Sequence, residues 1–306
     1  MTPFAIAGMQ LGLAAAGGNA ERMVARLDVL MHLYPWVQMV VYSELAACGP
    51  FPERSETLPG PTEDRFRAAA ARHGLWLLPG SLFERKDGLT FNTASVIAPD
   101  GTVVARYRKM FPFLPFERGV EAGSEFCTFD VPDVGRFGVS ICYDMWFPET
   151  SRTLAALGAE VILHPTMTST IDREVELAIA KATAAVNQCY FVDVNGAGES
   201  GNGRSLVVGP QGTVAYQAGD GEELIPVELD LDRVRRSREF GLRGLGQPLK
   251  SFRDRRVEFE VYGPDRPLDG FLRTLGAIAK PERGTRVGIR PAPPRPDGAA
   301  GPSLFA

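Results

Sequence analysis

A chain of 306 residues with 44% hydrophobic content can bury a large core, as one large domain or two ordinary ones. Its net charge of -4 is small, with Lys and Arg scattered among Asp and Glu, which argues against a basic nucleic-acid surface and for a small, weakly charged partner. Cys48, Cys127, Cys142 and Cys189 are widely separated and only 3 histidines are present, so neither a disulfide framework nor zinc-ligand spacing emerges.

The N-terminal "MTPFAIAGMQLGLAAAGG" carries no positively charged leader, and Gln10 and several glycines interrupt its apolar run. It fits neither a signal peptide nor a membrane span, and the expectation is a cytoplasmic protein. "FAIAGMQ" and "VQMVVYSE" read as buried strands. Between them Asn19 is placed to cap a helix whose Met23, Leu27, Leu30, Met31 and Tyr34 share a face. A second helix over "PTEDRFRAAAARHG" is entered by proline and stopped by glycine, and the strand "LWLLPGSLFE" follows.

"NTASVIAPDGTVVARYRK" reads as an antiparallel hairpin turned at Pro-Asp-Gly, and "GRSLVVGPQGTVAYQAG" repeats that grammar. Between the hairpins come the strand "RFGVSIC", a helix over "PETSRTLAALG", the strand "EVILHP", a long helix over "DREVELAIAKATAAVNQ" and the strand "CYFVDVN". Alternating signs in "DLDRVRRSREF" suit a solvated helix. The pattern predicts α/β layering with mixed sheets. It divides the chain into a domain over 1–280 and a Pro/Gly/Ala-rich tail over 281–306.

Three unlike reactive groups each end an apolar run: Glu44 after "VQMVVYS", Lys109 after "TVVARYR" and Cys142 after "FGVSI". Sheet ligands gather beyond the carboxyl ends of strands, so a carboxylate base, a cation and a thiol are placed to meet there. The helix beginning near "FPETSR" is expected to lower the thiol pKa through its dipole. Glu44 would take the thiol proton and later activate water. Lys109 and the Tyr143 N–H would stabilise the oxyanion formed when the thiolate adds to a carbonyl or nitrile. Singly, each has an ordinary reading: Cys142 as a small buried apolar residue, Glu44 as a cap, Lys109 as part of a solvated edge with Arg106 and Arg108. His164 reads as a packed strand-end residue, and Thr166 and Met167 beyond it are candidate pocket residues, as are Tyr143 and Trp146.

"YSELAACGPFP", "YRKMFPF" and "GVSICYDMWFPE" resemble the glutamate, lysine and cysteine motifs of the carbon-nitrogen hydrolase (nitrilase) superfamily, and "RSLVVGPQGTV" is similar to its later Ser-x-x-x-x-Pro-x-Gly hairpin. The resemblance spans roughly residues 4 to 260. It implies a four-layer α-β-β-α sandwich that self-associates, and a second glutamate, here Glu117 in "LPFERG", orienting Lys109 and the substrate amide. The family's Arg-Ala-x-Glu-Asn helix stretch is absent, with Thr183 and Val186 in its charged positions. The implied activity is a thiol-dependent amidase acting on a small aliphatic or arylalkyl amide without cofactor or metal. A nitrilase working through a thioimidate, an N-carbamoyl amino acid hydrolase, a thiol redox protein and a noncatalytic interaction protein on the same scaffold remain alternatives.

Overall fold

The computed structural model describes residues 1–255, 257–263 and 271–280. They fall into two units: a main one of Met1–Phe113 with Gly119–Val257, and a second of Leu114–Arg118 with the residues from Glu258 onward. In the second, the Lys280 ammonium lies 5.4 Å from the Phe116 ring centroid. The tail expected over 281–306 lies outside the described residues.

The main unit opens with β1 (Pro3–Gln10), α1 (Ala20–Leu33), β2 (Met39–Tyr42), α2 (Pro61–His73) and β3 (Trp76–Leu78), followed by β4 (Leu82–Lys86), β5 (Leu89–Ile97), β6 (Val103–Arg108) and β7 (Val120–Glu121). Next come β8 (Cys127–Val131), β9 (Gly135–Val139), α3 (Pro148–Ala156), β10 (Val161–Pro165), α4 (Arg173–Asn187), β11 (Tyr190–Val194), β12 (Leu206–Val208) and β13 (Val214–Gln217). Strand β14 (Glu223–Asp230) precedes α5 (Leu231–Phe240) and α6 (Pro248–Asp254).

One sheet runs β14-β1-β2-β3-β5-β4, with β6 and β7 also on β5; the other runs β13-β12-β11-β10-β9-β8. Each has a parallel centre, β1-β2-β3 and β9-β10-β11, with antiparallel hairpins at its flanks. These central strands are apolar on both faces because both are covered. Their inner faces share one core, in which Phe4 meets Phe137 at 5.4 Å between ring centroids. Outer faces pack against α1 and α2 on one side and α3 and α4 on the other. The result is a four-layer α-β-β-α sandwich with mixed sheets, as the sequence implies.

Three local expectations need correction. Asn19 does not cap α1 with its side chain; the amide instead donates to Ala14 O at 2.9 Å and Ala46 O at 2.8 Å, tying two loops together. "LWLLPGSLFE" is two strands rather than one, because Gly80 takes φ +76° where a Cβ would meet Ser43 O at 1.8 Å. Arg106 and Arg108 form no solvated edge: they pair with the buried Glu63 and Glu84, each at 2.7 Å.

Candidate active site

Glu44 lies two residues beyond β2, Lys109 directly after β6 and Cys142 three residues beyond β9. All three are buried in the main unit. Lys109 Nζ donates to Glu44 Oε1 at 2.8 Å, and Asn92 Nδ2 donates to the same oxygen at 2.8 Å. The Asn92 carbonyl accepts the Lys109 N–H at 2.9 Å, so one residue of β5 fixes the cation by its backbone and the carboxylate by its side chain. From the other sheet, Thr166 O accepts the Glu44 N–H at 3.2 Å.

Cys142 opens a single 3-10 turn, Cys142–Trp146, at φ +46°, a left-handed conformation that a non-glycine residue holds only where its surroundings impose it. Asp144 imposes it. Fully buried, its carboxylate accepts Ile141 N–H at 2.9 Å, Phe111 N–H at 2.9 Å and Tyr107 O–H at 2.7 Å. Two of those donors come from the β6 side, so Asp144 staples the nucleophile turn to the strand that carries Lys109. Burial pushes its carboxyl up to about 6 despite those hydrogen bonds.

The thiol does not behave as the sequence leads one to expect. Burial raises the Cys142 pKa well above its ordinary value and the nearby Glu44 charge raises it further, with Lys109 and a hydrogen bond from the Met167 N–H pulling the other way. The following helix α3 begins only at Pro148, and the desolvation of the sulfur outweighs any help from its dipole. A thiol so placed rests protonated and reacts only as a base removes its proton.

Residues 6–239 match the carbon-nitrogen hydrolase family. The chain belongs to that family. It is 30% identical over 204 residues to an omega-amidase of Homo sapiens, covering 62% of this chain and 74% of that protein. To an N-carbamoylputrescine amidase of Solanum lycopersicum it is 31% identical over 250 residues, 72% of this chain and 78% of the other. Among solved structures, Nit3 of Saccharomyces cerevisiae, of the nitrilase superfamily, superposes with a TM-score of 0.72 at 25% identity over 78% of this chain and 94% of its own.

Within this hydrolase fold the other expected site residues divide. Tyr143 joins an aromatic group beside the nucleophile, 5.0 Å from Phe113 and 5.3 Å from Phe147 between ring centroids. Trp146, 6.2 Å from Tyr143, packs against the core between the second sheet and its helices. Thr166 is buried and structural in its contacts, its N–H on Val194 O at 2.9 Å. Met167 packs against Leu45, Phe83 and Val120. Glu117 lies half-buried in the second unit.

His164 is fully buried on β10, its Nδ1 2.8 Å from Ser140 Oγ, and burial pushes it down to about 3, so it stays neutral as a packed residue should. Cys127 and Cys189 are buried thiols pushed up to about 12, and Cys48 is half-buried beside Glu56 and Thr62. Among the described residues no group of side chains forms a metal site and no helix is long and apolar enough to cross a membrane. Asn92 and Asp144 are the site residues that the sequence reading left out. An asparagine inside the strand "FNTASV" and an aspartate among apolar neighbours in "SICYDMW" are the signals that would have found them, since buried polar groups persist only with partners.

Proposed function

We propose that this carbon-nitrogen hydrolase cleaves a small linear amide to a carboxylic acid and ammonia through an acyl-enzyme on Cys142. The observation that carries this reading is the buried Glu44–Lys109 pair held by Asn92, with the Cys142 turn stapled through Asp144 to Tyr107 and Phe111, two residues to either side of Lys109. Glu44 removes the thiol proton as Sγ attacks the carbonyl carbon, and Lys109 with the Tyr143 N–H stabilises the oxyanion. Collapse of the tetrahedral intermediate breaks the C–N bond, and the proton held by Glu44 leaves on the ammonia. Water then attacks the thioester, with Glu44 taking its proton and returning one to the departing sulfur. Glu117 takes the orienting role that the family resemblance implies. No step asks for a cofactor or metal.

The similarity to proteins named omega-amidase and N-carbamoylputrescine amidase supports an amide or carbamoyl nitrogen as the bond broken. An N-carbamoyl substrate is the second reading, and the tomato relative favours it. A nitrile is disfavoured, because Cys142 is followed by Tyr143 and Asp144, and Asp144 is occupied in the turn rather than placed to deliver a proton to nitrogen. The active species in this reading is a homo-oligomer, which light scattering at micromolar concentration checks.

The test compares kcat/KM for an amide, a nitrile and an N-carbamoyl compound on one acyl or amine skeleton, across several skeletons. Faster amide turnover with ammonia released stoichiometrically is expected. Faster nitrile turnover in every set would place the chain on the other branch.

A further inference from the structure

Helix α5 carries four arginines, and the fold uses them unequally. Arg235 pairs with Glu160 at 2.8 Å and Asp232 at 3.0 Å, and Arg238 turns inward to the backbone carbonyls of Gly158, Ala159 and Gln188. Arg233 and Arg236 lie on another stripe of the helix with Ser237 and Phe240, at the i, i+3, i+4, i+7 spacing that shares one face. Arg236 has an exposed pair with Asp230 at 3.0 Å, which is worth little. Arg233 has no carboxylate within ion-pair distance among the described residues.

The chain then folds back over that stripe. After Gly241 comes a short 3-10 turn, Leu242–Gly244, closed by the Leu242 N–H on Gly246 O at 2.8 Å, and its middle residue, Arg243, takes φ +51°. Left-handed backbone at a non-glycine residue is costly, and such outliers gather at ligand sites. The turn brings a third guanidinium to a cavity of about 270 Å³ lined by Gln211, Arg233, Arg236, Ser237, Phe240 and Arg243. No carboxylate lines it, in a chain whose net charge is -4. Strand β14 runs antiparallel to β1 with Asp230 opposite Pro3, so α5 starts at the amino ends of the parallel strands. Glu44 and Cys142 lie beyond the carboxyl ends, at the other pole of the sheets.

We propose that this cavity is a second binding site, which takes a small phosphomonoester bearing a planar organic group. The guanidinium fork matches phosphate oxygens two at a time and keeps its charge at every physiological pH. Three such groups around one small volume, with no carboxylate among them, repel one another until an anion sits between them. Gln211 adds an amide donor, and Phe240, 59% exposed, offers a ring face on which a planar group can stack. The volume falls below the ~300–1,000 Å³ of drug-sized sites, which suits a phosphate with one ring. The site goes beyond the amidase reading and does not depend on it.

The experiment is isothermal titration calorimetry of the full chain with phenyl phosphate, inorganic phosphate and phthalate at one ionic strength. Phenyl phosphate is expected to bind at a single site, more tightly than the other two. Arg233→Gln and Arg243→Gln should each weaken it about tenfold, the worth of one charge-assisted contact. Arg85→Gln, which removes an exposed charge on β4, should leave it unchanged, and Phe240→Ala should bring phenyl phosphate down to the level of inorganic phosphate. No binding of phenyl phosphate at millimolar concentration, or equal weakening by Arg85→Gln, would overturn the site. Phthalate binding as tightly as phenyl phosphate would overturn the phosphate assignment. If Arg243→Gln does not fold, Arg233→Gln decides alone: weakened binding supports the site and unchanged binding defeats it. Binding is read without turnover, so a protein inert to every amide that still binds phenyl phosphate would sink the amidase reading and leave the site standing.

Discussion

Lys109 Nζ and Glu44 Oε1 lie 2.8 Å apart with both side chains almost wholly removed from solvent. Each charge offsets part of the cost of burying the other. Breaking a buried ion pair by removing one partner costs about 3–5 kcal/mol, more than replacing both together. Lys109→Met and Glu44→Gln should therefore each lower unfolding stability more than the double variant does, while all three lose turnover to a similar, non-additive extent. Urea denaturation and amide turnover on the three proteins check this. A double variant as destabilised as the sum of the singles would contradict it.

Asp144 gives a pH signature. Its folded-state pKa is about 6 against an ordinary 3.8, so the folded protein retains a proton that the unfolded chain has released. The stability it contributes is fully present below 3.8 and is lost as pH rises through 6, at about 1.4 kcal/mol per unit and on the order of 3 kcal/mol in all. Asp144→Asn cannot titrate and leaves one of the two amides, Ile141 or Phe111, facing an NH2 group. Denaturation from pH 4 to 7 should show the wild-type advantage over Asp144→Asn shrinking as pH rises. A constant or growing advantage would refute the assignment.

Gly80 and Gly88 share a left-handed backbone, at φ +76° and +80°, but not their surroundings. A Cβ at Gly80 would strike the Ser43 carbonyl, one residue from Glu44, whereas at Gly88 nothing lies within 4 Å. Gly88→Ala should cost about 1 kcal/mol from backbone strain alone and leave activity near wild type. Gly80→Ala should cost more and depress turnover by displacing Glu44. Equal effects of the two substitutions on kcat would show that the clash does not reach the site.

Much of this arrangement is legible in the sequence because it is local. Proline entering α2 and glycine leaving it, Pro99-Asp100-Gly101 turning the β5–β6 hairpin, and a reactive residue closing each of three apolar runs all report on their own neighbourhood. The two strands inside "LWLLPGSLFE" are not legible, because the contact that forces the break is between Gly80 and Ser43. Asn92 reaches 48 residues back to Glu44, and Tyr107 37 residues forward to Asp144; those partnerships exist only once the sheets have formed. The thiol's protonation is not legible for the same reason: the sequence shows the helix that follows, while its pKa is set by the burial and the Glu44 charge that the fold brings. On α4, Thr183 and Val186 replace the charges that the resemblance leads one to expect, and the helix carries its buried charges at Arg173 and Glu176 instead.

In the proposed reading, Glu117 acts on the reaction rather than on the thiol. Glu117→Gln should lower kcat/KM by about two orders of magnitude, within the range of a lost acid-base group, while iodoacetamide alkylates Cys142 at the wild-type rate. Kinetics and labelling on the same preparation check it. Wild-type kcat/KM in the variant would return Glu117 to an ordinary loop carboxylate.

The central claim is a covalent acyl group on Cys142, and its most direct measurement is mass spectrometry of protein quenched in acid during turnover of a small amide. The account predicts an added mass equal to the acyl group without its nitrogen, located on the Cys142 peptide, released as a hydroxamate by hydroxylamine and absent from a folded Cys142→Ala protein that no longer turns over. An acyl group on Cys48, Cys127 or Cys189, or more than about a tenth of wild-type turnover in folded Cys142→Ala, would contradict it.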